Sequence, residues 1–186
     1  MIKNEISRII QARQSIYPTQ FNGNIIDKAT IQQLFANAHC APSHKLTQPW
    51  LFKIFDTTSK QDLLEEIYRI NPHYDDTIKS RLQLKFDKSS HVICICMKRH
   101  EDKLPEWEEI AATAMAVQNL WISCVDSNVG GYWSSPRFSE HLHSFLKLEN
   151  DERCLGFFYL GSYDASQAPK RDTSRRATVE SKIEWI

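Results

Sequence analysis

Glycine is scarce in this 186-residue chain, which has five, at positions 23, 130, 131, 156 and 161. None falls in a G-x-G-x-x-G or G-x-x-x-x-G-K-[ST] pattern, so both Gly-rich phosphate cradles are excluded. Any nucleotide would have to be held in another way. An excess of charge of one sign is also missing: Lys and Arg number 23, and so do Asp and Glu. No global field therefore draws in nucleic acid or an anionic membrane. No apolar run approaches the roughly 18 residues that a membrane span needs. The start, Met1 to Arg8, interleaves charged and apolar residues and lacks the block structure of a signal peptide. The five Cys follow neither a zinc spacing nor a disulfide framework. These absences lead to the expectation of a reduced, cytoplasmic protein. With 41% hydrophobic and 25% charged residues the chain is expected to fold as one globular domain, 1–186.

Apolar periodicity then predicts the elements. Ile2, Ile6, Ile9 and Ile10 form the stripe of a first helix with one buried face, ending near Gln14 ahead of Pro18. Asp27 can cap a second helix carrying Ile31, Leu34, Phe35 and Ala38 and stopping at Pro42. Trp50 to Phe55 reads as a buried strand, and Leu63, Leu64, Ile67 and Tyr68 as a third helix closed by Asn71-Pro72. Ile78, Leu82 and Phe86 suit a surface helix, and His91 to Met97 a strand. The strongest helical signal runs from Glu108 to Val125, with Ile110, Ala114, Val117, Trp121, Cys124 and Val125 on one face. Asn128 to Pro136 has turn chemistry, Cys154 to Gly161 is a buried strand, and Val179 to Trp185 is a candidate tail strand. The pattern is α+β around one core.

Three polar clusters border these elements. Arg13-Gln14-Ser15 ends the first helix; its guanidinium fork suits a phosphate, although a helix-end Arg also stabilises the last carbonyls. Ala41-Pro42-Ser43-His44-Lys45-Leu46-Thr47-Gln48-Pro49-Trp50 is a short loop pinned by prolines and rich in donors and acceptors. It is either a prearranged ligand surface or an ordinary helix-to-strand connection. Gly130-Gly131-Tyr132-Trp133-Ser134-Ser135-Pro136 follows the long Ala-rich helix. Its glycines allow close backbone approach, and Trp133 could wall a planar ring or pack in the core. No set of His, Cys and acidic residues has metal-ligand spacing; His141-Leu142-His143 lacks a third ligand, so no metal is expected. Cys40 beside His39 and His44 sits at a helix C-terminus, the end that does not activate a thiol.

Taken in order, the three clusters resemble the nitroreductase family of FMN-dependent oxidoreductases. That family shares an Arg-x-Ser opening, an Ala-Pro-Ser…Gln-Pro-Trp loop and a Gly-Gly-x-Trp stretch after an Ala-rich helix. The His44-Lys45 pair and Lys103-Leu104-Pro105-x-Trp107-Glu108 are similar to the short YdjA-like branch. The resemblance implies a nitroreductase-like fold, with a central, mostly antiparallel sheet flanked by helices in a dimer. It implies FMN as cofactor, NAD(P)H as co-substrate and hydride transfer to a nitroaromatic, a quinone or a similar electron-poor acceptor. A flavin-storage protein, or other flavin chemistry on the same fold, is the alternative.

Carried over by position, Arg13, Gln14 and Ser15 would hold the FMN phosphate and ribityl chain or the pyrimidine edge. Cys40, Ala41, Pro42, Ser43 and His44 would line the flavin from the partner subunit, near Lys45 and Gln48. Trp133, Ser134 and Ser135 would place backbone donors near the flavin N5. Arg176 would be a second phosphate contact, with Lys170, Arg171 and Arg175 as competitors. No side chain is expected to be catalytic in its own right, because the flavin carries the chemistry. Two positions depart from the pattern: Tyr17 replaces a basic residue, and Pro136 stands where many members have Gly. A homodimer is expected independently from the helix over 108–125, apolar on more than one side and small at Ala111, Ala112, Ala114 and Ala116. A central core helix in a monomer is the competing explanation.

Overall fold

A computed structural model describes residues 4–167 and 176–186. Its five α-helices are α1 (Glu5–Ala12), α2 (Lys28–His39), α3 (Ser59–Ile70), α4 (Asp76–Lys88) and α5 (Glu106–Ile122). Its four strands are β1 (Trp50–Phe55), β2 (His91–Lys98), β3 (Val129–Ser134) and β4 (Glu152–Ser162), in the order β1-β2-β4-β3 with every neighbouring pair antiparallel. This is the expected α+β layout.

β2 is buried along nearly its whole length because both faces of the sheet are covered. Val92, Cys94 and Cys96 point into one core with Leu63, Leu64 and Ile67 of α3, Phe86 of α4, and Phe157 and Tyr159 of β4. Ile93 and Ile95 point into the other, with Ala112, Ala116, Val117 and Leu120 of α5, Leu34 and Ala38 of α2, and Phe158 and Leu160 of β4. Asp27 caps α2 as expected, its carboxylate accepting from Thr30 N at 2.9 Å.

Four expectations need correction. The stretch over 129–134 is a strand, not a turn, and pairs with β4 from Val129↔Ser162 to Ser134↔Phe157. Its glycines are required by packing rather than by turning. A Cβ on Gly131 would lie 2.2 Å from the Phe158 ring, and one on Gly130 2.6 Å from Ile16. α1 forms, but its stripe is not buried in this chain: Ile6 is 64% exposed and Ile10 51%. α5 is shifted and rotated relative to expectation. It buries Glu109, Ala112, Thr113, Ala116, Val117 and Leu120, whereas Ile110 is exposed. The tail makes a short 3-10 turn at Val179–Lys182 and no strand.

Candidate functional site

The chain after α1 leaves the helix at Arg13 and runs extended beside the sheet. Ile16 N donates to Gly131 O at 3.1 Å, and the Tyr17 ring meets Tyr132 at 4.7 Å. Tyr17, where a basic residue was looked for, therefore serves as an aromatic clamp on β3. The first and third clusters are thus neighbours. Arg13 turns its guanidinium over the Trp121 ring at 4.4 Å, within cation–π range. Arg13, Gln14, Trp121, Asp126 and Asn128 line a cleft of about 420 Å³, within the size range of small-ligand sites. The indole N–H of Trp121 is buried there with no hydrogen-bond acceptor among the described residues. Ser15 stands outside this cleft. Trp133 packs half-buried against the α2–α5 core, its indole N–H also with no acceptor among the described residues. Ser135 opens instead onto a second cleft of about 570 Å³ with Pro136, Arg137 and His143.

The second cluster lies elsewhere. Cys40 caps α2 and is exposed, Ala41 is buried, and the segment through Gln48 wraps the start of α5. His44 Nδ1 lies 2.6 Å from Glu108 Oε2, Lys45 Nζ donates to Lys103 O at 3.0 Å, and Gln48 N donates to Ser43 Oγ at 3.1 Å. Lys45, Leu46 and Gln48 all hold positive φ, at 52°, 53° and 45°. Such conformations cost of order 1–3 kcal/mol each in non-glycine residues and gather at functional sites. Pro42 is exposed beside them.

Helix length separates the two regions within one chain. His44 touches Glu108 in the first turn of α5, and Arg13 stacks on Trp121 in its last. Thirteen residues at 1.5 Å each put these anchors about 20 Å apart. Of the tail candidates, Arg176 is exposed, and Lys170, Arg171 and Arg175 lie outside the described residues. Sequence reasoning missed Trp121 as the stacking partner of Arg13, having taken it for core; nothing local signals that contact. It also missed the roles of Glu108 and Lys103, although the shared segment over 103–108 contained both. Among the described residues no cluster of His, Cys, Asp and Glu could hold a metal, and no helix is long and apolar enough to cross a membrane.

Sheet, flanking helices and the Arg-x-Ser, Ala-Pro-Ser and Gly-Gly-x-Trp segments together define a nitroreductase-like protein. The chain belongs to the nitroreductase family, whose sequence model matches residues 10–162. It is 24% identical over 175 residues to "Putative NAD(P)H nitroreductase YfhC" of Bacillus subtilis, covering 90% of this chain and 89% of that one. YdjA of Escherichia coli K12, described in the same words, is 24% identical over 137 residues, 71% of this chain and 75% of YdjA. Among solved structures, a nitroreductase-like family protein from Bacillus cereus superposes with a TM-score of 0.83 at 21% identity, over 100% of this chain and 98% of that one. The FMN-dependent nitroreductase NfnB from Mycobacterium smegmatis, solved with NADPH, gives 0.76 at 14% identity and 97% coverage of both chains.

Proposed function

We propose that this protein is a homodimeric FMN-dependent NAD(P)H oxidoreductase whose two flavin sites lie across the subunit interface. The observation that carries the reading is the cleft at the end of α1. There a guanidinium stacked on an indole, a neighbouring Gln amide and an acceptor-less indole N–H form a donor-rich wall. That donor set fits a phosphorylated, carbonyl-bearing ligand such as FMN. When bound, FMN would supply the two-electron chemistry that links NAD(P)H to a nitroaromatic, a quinone or a related acceptor in a ping-pong cycle.

The chain's own part is to bind and to orient. Arg13 would offer a bidentate fork to the phosphate, the Gln14 amide beside it would add a donor, Ser15 would contribute from outside the cleft, and Arg176 would be the second cation. The backbone at Trp133 and Ser134 at the end of β3, and at Ser135 just beyond it, would supply donors along the ring edge, and Lys45 or Arg13 would stabilise negative charge there. Cys40 to His44, with Lys45 and Gln48, act from the second copy. The α5 separation supports this division, because the loop and Arg13 are about 20 Å apart along that helix within one chain. Exposed apolar groups support a partner chain as well: Ile6 and Ile10 on α1, Trp107 on α5 at 67%, and Trp185 at 92%.

The test is to extract the cofactor from purified protein and then mix the holoprotein anaerobically with NADPH. FMN in the extract and rapid bleaching of its absorbance are expected, with parallel double-reciprocal lines for NAD(P)H against acceptor. Flavin that binds and is never bleached would convert the reading to storage; no flavin after reconstitution would overturn it.

A further inference from the structure

Three of the five cysteines meet on one face of the sheet, away from the clefted end of α1. Cys94 and Cys96 alternate along β2 and both point into the core shared with α3 and α4. Cys154 joins them because of a bulge. The β2–β4 register runs Cys94↔Phe157 and Ile95↔Gly156, then skips Leu155 to give Cys96↔Cys154. Without that extra residue Cys96 would oppose Leu155, and Cys154 would belong to the other face. Gly156, at φ 141°, makes the bulge possible; a Cβ there would sit 2.5 Å from Ser134 O.

The three thiols differ in access. Cys94 and Cys96 are wholly buried, while Cys154 is 5% exposed and lines the cleft of about 570 Å³ with Arg137, His143 and Arg153. All five cysteines are free thiols in this structure. We infer that Cys154 and Cys96 form a peroxide-oxidisable dithiol, with Cys154 oxidised first by peroxide that enters through the cleft and Cys96 closing a cross-strand disulfide. Directly opposed antiparallel residues have Cβ atoms about 4.5–5.5 Å apart, near the roughly 3.5–4.5 Å of a disulfide, so small strand movements suffice.

The chemistry balances with hydrogen peroxide as the oxidant. The Cys154 sulfur attacks one peroxide oxygen, the O–O bond breaks, and a sulfenic acid and one water form. The Cys96 sulfur then attacks the Cys154 sulfur, the S–O bond breaks, and the hydroxide leaves with the Cys96 proton as a second water. Two thiols lose two electrons, and one peroxide gains them. Electrostatics favour this order. Contact with the Cys94 and Cys96 thiols holds the Cys154 pKa low, contact with Cys154 and burial push Cys96 up, and burial pushes Cys94 up. A hydroperoxide is small enough for a thiol at the floor of a cleft, where a bulky disulfide could not be attacked in line.

The test uses full-length Cys40→Ser protein, which removes the exposed thiol that could cross-link molecules. Reduced protein is treated with hydrogen peroxide, quenched with catalase, unfolded and titrated with a thiol reagent. Four thiols should fall to two, and peptide mapping should find the Cys96 and Cys154 peptides joined. Adding Cys154→Ser should leave three thiols that stay at three, whereas adding Cys96→Ser should leave three that fall to two, with Cys154 oxidised and no bridge formed. Retention of all four thiols, a bridge through Cys94 or Cys124 instead, or Cys154 carrying two or three oxygens with no bridge would each overturn the assignment. If either Ser variant fails to fold, the mapped bridge in the parent decides alone.

Discussion

Glu109 should be among the most costly single positions to truncate. Its carboxylate sits in the first turn of α5 with no solvent exposure. It is ion-paired with Arg99 Nη1, lies 2.6 Å from His100 Nδ1, and accepts from His100 N at 3.1 Å. Arg99 is itself only 15% exposed. Glu109→Ala would leave a guanidinium and an imidazole in a confined space without their shared acceptor. Removing one partner of a buried ion pair costs about 3–5 kcal/mol, much of it from the charge left behind. For a domain of this size each kcal/mol moves Tm by about 2–4 °C, so a fall of about 6–20 °C is expected. Urea unfolding of the flavin-free protein is the assay, because bound cofactor would add its own linkage to the result. Arg99→Met combined with Glu109→Leu should recover a large part of the loss, since an apolar pair of similar volume leaves no orphan charge. A Glu109→Ala loss below about 1 kcal/mol would refute the argument and mean that water solvates the site freely.

Other substitutions probe other parts. Arg13→Ala should weaken FMN binding roughly ten- to hundredfold in a fluorescence titration, the loss of one charge-assisted contact of about 1.5–3 kcal/mol; unchanged affinity would remove Arg13 from the site. Gly131→Ala pushes a methyl to 2.2 Å from the Phe158 ring and should cost about 1–3 kcal/mol by overpacking, read as a lower urea midpoint. His91 is pushed below its usual value of 6.5 by burial. The unfolded chain therefore binds more protons between the lowered folded value and 6.5, and stability should fall as pH drops through that window. His91→Gln should flatten that acid-side slope in melts across pH 4–7; an unchanged slope would assign it to other groups.

How much of this was legible beforehand depends on where the cause lies. β2 was readable because a strand buried on both faces is a continuous apolar run, β1 because its short apolar run is bounded by Pro49 and Asp56 although it is only half-buried at the sheet edge, and α2 because Asp27 caps it within three residues. β3 was misread because Gly130 and Gly131 carry turn statistics, whereas their cause is tertiary: the space a side chain would need is filled by Ile16 and Phe158. The α1 stripe had the correct period, yet period says nothing about what covers the face. The face of α5 was misjudged because Glu109 counts as polar in any pattern and is buried only because Arg99 and His100 come to meet it. The three site clusters were visible as motifs. The contacts that position them, Trp121 under Arg13 and Glu108 beside His44, join residues 64 or more apart in sequence.

The strand order also constrains when the sheet can exist. β4 lies between β2 and β3, yet it is the last of the four described strands to be synthesised. Until residues 152–162 leave the ribosome, β1 and β2 can only be a lone antiparallel pair with an open apolar edge, and β3 has no neighbour at all. No pair is joined by a tight hairpin; the nearest, β3 and β4, are separated by residues 135–151. Closure of long loops must therefore precede most pairing, which favours slow, late assembly and a nascent chain with exposed apolar edges while its central slot stands empty.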